Sequence, residues 1–303
     1  MIKWTLPLAA AAALLSSCSK PVVPGARIDP ALAGLIPADT VMLAGVHVDA
    51  LQKTSIYKKN LADRPLPLFD DFAQQTGLTR REDLWELLFI SNGKQSVLLG
   101  HGKFSDGAEP DLKRPGAKRF GYKGLTLVGD EETAVLLVSP SVLGVGQTSA
   151  LKSLVDNKGT TNGPPASLAA RMKEIPTEAA FWVATVGGPV VPFPLPGNLG
   201  NLNRVLNSIE SGLAYLDLRT GVNGLAVGIC ASEQNANELH DAVRGLIGLG
   251  RAVAPKNQPE LGKIFDGIRV TLESRKVNVH IDEPEELVDT VLNLMLGRRR
   301  TAP

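Results

Sequence analysis

The chain has 303 residues, of which 44% are hydrophobic and 21% charged, and its formal net charge is +1 at pH 7. These are ordinary values for a globular protein, and a chain of this length buries a large core as one domain or two. Nucleic-acid binding needs a strong positive field, so the near balance of 32 basic and 31 acidic residues excludes nucleic acid as an expected partner.

The N-terminal segment has the pattern of an export signal. Lys3 is the only charged residue before an apolar stretch that runs from Leu6 to Leu15. That stretch is shorter than the ~20 apolar residues of a membrane-spanning helix and has the length of a signal-peptide core. It closes with Leu15-Ser16-Ser17-Cys18, which resembles the lipobox of bacterial lipoproteins. The alternative is an ordinary secretory signal that carries a cysteine by chance.

The resemblance to lipoprotein signals implies cleavage before Cys18 and acyl chains, palmitate among them, on that residue. Several chains on one residue are enough for stable membrane attachment. Ser19 stands where an aspartate would favour inner-membrane retention, which implies the outer membrane, facing the periplasm, over the inner membrane. Removing residues 1–17 also removes Lys3, so the predicted mature chain of 286 residues has 31 basic and 31 acidic residues.

Beyond Cys18, the sequence predicts two similar units separated by a linker. Residues 18–30 form a proline-containing tether that holds the folded part away from the bilayer. The first α+β unit spans 31–156, a linker with one short helix spans 157–177, and the second α+β unit spans 178–303. Apolar runs separated by turn residues predict strands at 41–48, 85–90, 96–100, 124–128, 134–138, 181–186, 213–218, 225–230, 268–272 and 277–281.

Apolar residues at helical spacing predict the helices. Asn235 opens a long helix with Glu238 as its capping-box partner, and the glycines within residues 245–250 let that helix lie close to a sheet. Asp282 caps the last helix of the chain. Shorter helices are predicted at 68–77, 148–155, 166–173 and 202–209.

The two units share an order of elements that indicates an internal repeat. Ile90 to Gly100 aligns without gaps on Leu218 to Gly228, and Tyr122 to Leu125 matches Phe265 to Ile268. The predicted fold class is therefore α+β, with two pseudo-repeated units, each a mainly antiparallel sheet with helices packed on one face. This order resembles that of uncharacterised, exported, duplicated α+β bacterial proteins, a resemblance that implies no activity.

Two short triplets carry the residue types of a metal or proton-transfer site. His47 and Asp49 end the first predicted strand, and His280 and Asp282 end the last. Strand alternation places the histidine and the aspartate of each triplet on one face, so the four residues are candidate metal ligands where the triplets converge. The alternative gives Asp282 a capping role and the histidines polar contacts at strand ends. No metal or other cofactor is expected.

Two further segments have open interpretations. Val190, Val191, Phe193 and Leu195 lie in a Pro/Gly-rich loop, where they either cover a sheet or contact a lipid or protein partner. Cys230 has no partner cysteine once Cys18 is acylated, and its apolar surroundings predict a small buried side chain.

The signal and the absence of a recognisable catalytic motif predict a lipid-anchored protein of the cell envelope. Its expected role is non-enzymatic, as a scaffold or binding module, with the membrane as partner through its acyl chains and an envelope protein as a candidate partner. One alternative is a carrier of an apolar ligand such as a lipid. Another is a hydrolase that uses His47 or His280 with the neighbouring aspartate.

Overall fold

Strands and helices take up similar shares of the described chain. The structure is a computed structural model that describes residues 25–76, 78, 80–104, 117–187, 206–255 and 257–297. Within these ranges the strands are β1 (Met42–His47), β2 (Leu84–Ser91), β3 (Ser96–Gly102), β4 (Lys118–Tyr122), β5 (Leu125–Gly129), β6 (Thr133–Ser139), β7 (Val142–Gln147), β8 (Phe181–Val186), β9 (Ile209–Asp217), β10 (Val222–Cys230), β11 (Ile268–Glu273) and β12 (Lys276–Glu283).

Helices are distributed along the whole described chain. They are α1 (Pro30–Ala33), α2 (Val48–Lys53), α3 (Ser55–Asn60), α4 (Pro67–Thr76), α5 (Thr148–Asn157), α6 (Ala166–Met172), α7 (Glu233–Val253), α8 (Glu260–Lys263) and α9 (Glu285–Gly297), with a 3-10 turn at Arg81–Asp83. Among the described residues, no helix combines the length and the apolar composition that a bilayer crossing requires.

All of these strands join one antiparallel sheet, in the order β11-β12-β10-β9-β8-β1-β2-β3-β7-β6-β5-β4. The predicted α+β fold with antiparallel strands is confirmed. The strands of the two halves do not form separate sheets, because β1 pairs with β8 over the register Met42↔Thr185 to Val46↔Phe181. This central pairing lets each half protect an edge strand of the other half.

The order of strands repeats outward from the central β1–β8 pair. The hairpin β2–β3 and the hairpin β9–β10 occupy equivalent places, which agrees with the first of the two predicted alignments. The second alignment is displaced, because β7 pairs with β3 as β12 pairs with β10. The hairpin β6–β7 therefore corresponds to β11–β12, whereas Tyr122 to Leu125 lies in the additional hairpin β4–β5.

Helices cover both faces of the first half of the sheet, and in the second half they cover the second face and the part of the first face at β8 and β9. We call the face that carries Leu88 and Trp182 the first face, and the face that carries Leu87 and Ala226 the second face. On the first face, α1, α5 and α6 pack into the core that contains Leu88 and Trp182. On the second face, α2, α3, α4 and α9 pack around Leu87, and α7 packs over the strands of the second half. Helices on a single face were predicted for each half, whereas both halves carry helices on both faces, because α6 packs on the first face of β8 and β9.

The chain from Gly25 to Pro30, part of the predicted tether, packs against the folded part. The Ala26 backbone N–H donates to the Met172 carbonyl at 2.9 Å. Asp29 then caps α1, because its Oδ1 accepts a hydrogen bond from the Ala31 N–H at 2.8 Å. The predicted linker is also packed, since Leu168 of α6 is fully buried.

Two predicted helix starts are wrong. The long helix α7 begins at Glu233, and its cap is Ser232, whose Oγ accepts from the Asn235 N–H at 3.1 Å. Asp282 does not cap the last helix, because β12 continues to Glu283 and α9 begins at Glu285. Strand pairing of Asp282 with Asn223 across β12 and β10 keeps this residue extended.

Gly45 allows the closest approach in the centre of the sheet. A Cβ atom added at this position would overlap the indole ring of Trp182. We expect Gly45→Ala to lower the free energy of unfolding by about 1–3 kcal/mol, because the ring is fully buried and has no room to move. Urea denaturation measures this change. Gly121→Ala in β4 is the matched control, since nothing lies within 4 Å of its added Cβ; equal losses in both variants would contradict this packing.

Candidate functional site

A depression crosses the second face of the sheet where four strands carry small or β-branched side chains. Val183 of β8 stands opposite Ala214 of β9, and Ala214 stands opposite Ala226 of β10. Ala226 in turn stands opposite Val279 of β12. Since side chains directly opposite in neighbouring strands share a face, these four residues form one apolar row. The two alanines in the middle of the row leave the floor of the depression low.

Helix α7 forms one wall of this depression, which we call the apolar groove. Leu239 and Val243 of α7 line the depression together with Leu206 and Ile209, and the Leu239 and Ile209 side chains lie close to Gly228 of the floor. The cavity measures about 300 Å³. Its lining is Val183, Thr185, Leu206, Ile209, Gly212, Leu213, Ala214, Ala226, Val227, Gly228, Leu239, Val243, Val277 and Val279.

Among the described residues, no charged side chain lines the apolar groove. Thr185 is the one described lining residue with a hydroxyl group, and its Oγ1 donates to the Val41 carbonyl at 3.3 Å. A polar ligand would lose its hydrogen bonds to water in such a site without replacement. The groove therefore suits hydrocarbon and excludes charged or strongly polar ligands from its floor.

The apolar surface continues from the groove along α7. Leu246 and Val253 follow Leu239 by seven and fourteen residues, which places all three in one row along the helix. Leu239 is buried, whereas Leu246, Leu249 and Val253 are 36%, 59% and 68% exposed. Exposed leucines and valines in a row form an apolar patch that water does not favour. The row and the groove together form one apolar surface.

Contacts with the loop before β11 hold the C-terminal part of α7 in place. Arg251 Nη2 donates to the Phe265 carbonyl at 2.8 Å and lies 3.1 Å from Asp266 Oδ1. Gly250 faces the Phe265 ring, where a Cβ would overlap it, so its close contact is with this loop and not with the sheet as predicted. Gly245 and Gly248 are exposed, with nothing within 4 Å of an added Cβ, so the predicted role does not apply to them.

The candidate metal ligands do not come together. β1 and β12 are four strand positions apart, so His47 and His280 are separated by roughly 19 Å. Asp49 lies in α2 and pairs with Lys53 at 3.0 Å, because the strand ends at His47 and alternation stops there. Among the described residues, no group of three His, Cys, Asp or Glu side chains is placed to hold a metal ion.

His280 and Asp282 lie on the first face of β12, in the outer part of the second half that the described helices leave open. They line a shallow concavity of about 440 Å³ together with Arg269 and Thr271 of β11. His280 stands opposite Arg269, and both are exposed. Polar side chains on the uncovered face of an antiparallel sheet are a normal solvent-facing arrangement.

His47 instead belongs to a row of ionisable residues that the sequence analysis missed. His47 of β1, Glu86 of β2 and His101 of β3 are directly opposite one another on the first face. His47 Nδ1 lies 4.0 Å from Glu86 Oε2, and Asp29 Oδ2 lies 3.2 Å from His101 Nδ1. The available signal was Glu86 itself, a single acid within the otherwise apolar run from Leu84 to Ile90.

Burial dominates the acid–base properties of this row. It raises the pKa of Glu86 to about 7, because the carboxylate loses its hydration, and the nearby Asp29 and Asp49 carboxylates raise it further. The Asp29 backbone N–H, which donates to Glu86 Oε2 at 3.1 Å, opposes this effect. Burial also lowers the pKa of His47, against the attraction of Asp49.

Cys230 is fully buried, as predicted, and is a free thiol. Burial raises the pKa of this thiol, which disfavours the reactive thiolate. Two predicted sites, Cys18 and the loop residues Val190, Val191, Phe193 and Leu195, lie outside the described residues.

Comparison with known proteins identifies a shared fold and no family. No protein-family model matches the chain, and no curated protein matches its sequence. The solved structure of TP0453 in crystal form III is similar, with a TM-score of 0.51 and 10% identity, over 88% of this chain and 99% of that chain. Crystal form I of TP0453 gives a TM-score of 0.48 and 12% identity, over 89% and 98% of the two chains. At this identity the likeness to form III concerns the fold alone.

Proposed function

We propose that this protein is a non-enzymatic, lipid-anchored protein of the cell envelope that binds a hydrocarbon chain in the apolar groove. The observation that carries the proposal is the groove lining, which in the described part of the chain has no charged side chain and only one hydroxyl group, already hydrogen-bonded. The lining residues that the structure describes also include no histidine, aspartate or glutamate. It therefore favours binding over hydrolysis at this place.

The size of the groove indicates the class of ligand. Ligand pockets generally measure about 300–1,000 Å³, so a cavity of about 300 Å³ is at the lower limit. One hydrocarbon chain fits this space, whereas two chains side by side would leave apolar surface in water. Each buried methylene contributes about 0.8 kcal/mol, so the affinity rises with the length of chain that enters.

The proposed anchor supports the same function. Acyl chains on Cys18 would keep the folded part beside a membrane, which is where molecules with hydrocarbon chains are concentrated. A scaffold that contacts an envelope protein stays a prediction of the sequence.

Titration with a fluorescent linear fatty acid, cis-parinaric acid, tests the groove. A chain that begins at Ser19 is suitable, because it retains every described residue and needs no detergent. The proposal predicts saturable fluorescence enhancement at one probe per chain and displacement by dodecanol, which carries no charge. Enhancement that does not saturate, or that dodecanol leaves unchanged, would contradict it.

The anchor is tested by labelling cells with radioactive palmitate. We expect Cys18→Ser to reduce the label on the protein to background, because its sulfur is the proposed attachment point. Cys230→Ser is the matched control and is expected to retain the full label, since that thiol is buried. Label that persists in Cys18→Ser would show that acyl chains are attached to another residue and would contradict the proposed anchor.

A further inference from the structure

The row of His47, Glu86 and His101 lies beneath the first described residues of the chain. We call Gly25–Asp29 the N-terminal strap. At one end of the strap, Ala26 donates to the Met172 carbonyl at 2.9 Å. At the other end, Asp29 contacts the row twice, through its backbone N–H to Glu86 Oε2 at 3.1 Å and through its carboxylate to His101 Nδ1 at 3.2 Å. The strap thus covers part of the row.

When the strap is in place, the hydrogen bond from the Asp29 N–H stabilises a negative charge on Glu86, but burial outweighs it. Its side chain is 7% exposed, and Oε1 has no hydrogen-bond partner among the described residues. Two carboxylates, Asp29 ahead of α1 and Asp49 on α2, repel a charge on Glu86. The neutral form avoids both the desolvation and the repulsion.

His47 on β1 is the other buried member of the row. Its Nε2 also has no hydrogen-bond partner among the described residues. The groups that face Glu86 are therefore His47 on β1, His101 on β3, and the carboxylates of Asp29 and Asp49. Displacement of the strap would admit water to Glu86 and remove the Asp29 carboxylate from its vicinity.

We propose that the N-terminal strap is a proton-controlled latch, closed while Glu86 is neutral and opened when Glu86 ionises. The geometry that carries this proposal is the direct contact of Asp29 with both Glu86 and His101. If the anchor is on Cys18, the latch lies between the membrane and the folded part of the protein. The proposal does not depend on the apolar groove.

The direction of the pH dependence follows from linkage. Glu86 has a pKa of about 7 in the closed state, above the usual 4.5, so the closed state binds the proton more tightly. The equilibrium constant for opening of the strap therefore increases by up to about tenfold per pH unit between roughly pH 5 and 7 and then levels off. The lowered pKa of His47 has the opposite sign, because its protonation favours a hydrated, open state below its ordinary pKa of 6.5.

Hydrogen exchange separates these two effects. The measurement follows the backbone amides of Ala26 and Asp29 in the full lipidated chain, held in a mild non-ionic detergent, from pH 5 to 8. The native chain is compared with Glu86→Gln, which retains His47. Exchange is corrected for the intrinsic pH dependence of each amide.

Hydrogen exchange gives an equilibrium constant for opening of the strap in each chain. The latch predicts that the constant of the native chain, divided by that of Glu86→Gln, rises at least about tenfold between pH 5 and 7.5. Glu82→Gln is the matched control, because Glu82 is exposed, and it is expected to follow the native curve. A ratio that stays constant with pH would overturn the proposal.

A second measurement needs no variant and covers the case in which Glu86→Gln fails to fold. Carbon NMR of the Glu86 side-chain carboxyl in the native chain gives its titration midpoint directly. A midpoint near 7 supports the latch. A midpoint near 4.5 would overturn it, because the closed strap would then not favour the proton.

Discussion

Replacing Trp182 by alanine is expected to lower the free energy of unfolding by about 3–5 kcal/mol. Trp182 is 1% exposed and belongs to β8, where the two halves of the sheet meet. Its ring lies over Gly45 of the neighbouring strand, so truncation leaves a cavity at the central β1–β8 pair. Its Nε1 has no acceptor among the described residues, so the loss is one of packing and not of a hydrogen bond.

Trp85→Ala is the matched control for this prediction. Trp85 is 40% exposed and contacts the His101 ring edge-on, with ring centroids 4.9 Å apart. Its removal is expected to cost less than that of Trp182, because the side chain is partly in water already and its ring contact adds about 0.5–1.5 kcal/mol beyond burial. Urea denaturation followed by circular dichroism compares the two variants without relying on tryptophan fluorescence. Similar losses for both would contradict the central position of Trp182 in the core.

Filling the apolar groove is expected to remove hydrocarbon binding while the fold is retained. Ala226→Phe places a ring on the floor, between Ala214 and Val279 on the neighbouring strands. If the ring displaces about four methylene groups at about 0.8 kcal/mol each, the loss is about 3 kcal/mol, or roughly a hundredfold in Kd. The cis-parinaric acid titration measures this change.

Ala252→Phe is the control for the groove variant. It makes the same substitution at an exposed position of α7 that does not line the groove. We expect its Kd to stay within about twofold of the native value, because it changes neither floor nor wall. Equal loss of binding in both variants, or unchanged binding in Ala226→Phe with an intact fold, would show that the probe binds elsewhere.

Local patterns in the sequence were sufficient for much of the fold. The hairpin between β2 and β3 follows from Asn92-Gly93, a favoured hairpin turn, and Gly93 has the positive φ of 86° that such a turn requires. The hairpins β9–β10 and β11–β12 were similarly visible as apolar runs around short turns. Each of these elements depends on contacts between residues close in sequence.

Elements that depend on distant contacts were not predicted. β7 was missed because Gly144 and Gly146 resemble a tight turn before a helix in the sequence, whereas both pair with residues of β3 and β6 in the sheet. The pairing of β1 with β8 joins residues about 140 positions apart, and no local pattern encodes it. The single sheet could therefore not be distinguished from two sheets.

The candidate site was the least predictable part for the same reason. Ala214 and Ala226 are unremarkable in the sequence, and their importance comes from standing opposite each other on the floor of the groove. His47 was singled out for the wrong partner, because Asp49 is close in sequence whereas Glu86 is close in space. The groove floor and the row of ionisable residues both depend on which residues stand opposite each other in neighbouring strands. A single sequence does not reveal this register.

Native mass spectrometry tests the central claim most directly, which is that the apolar groove holds a hydrocarbon chain. The chain that begins at Ser19 is exported to the periplasm of a bacterial host and purified without detergent. The account predicts a species heavier than the bare protein by one molecule with a single hydrocarbon chain, and the loss of that species in Ala226→Phe. If the native chain carries no more of the bound molecule than the Ala226→Phe variant does, the account is contradicted.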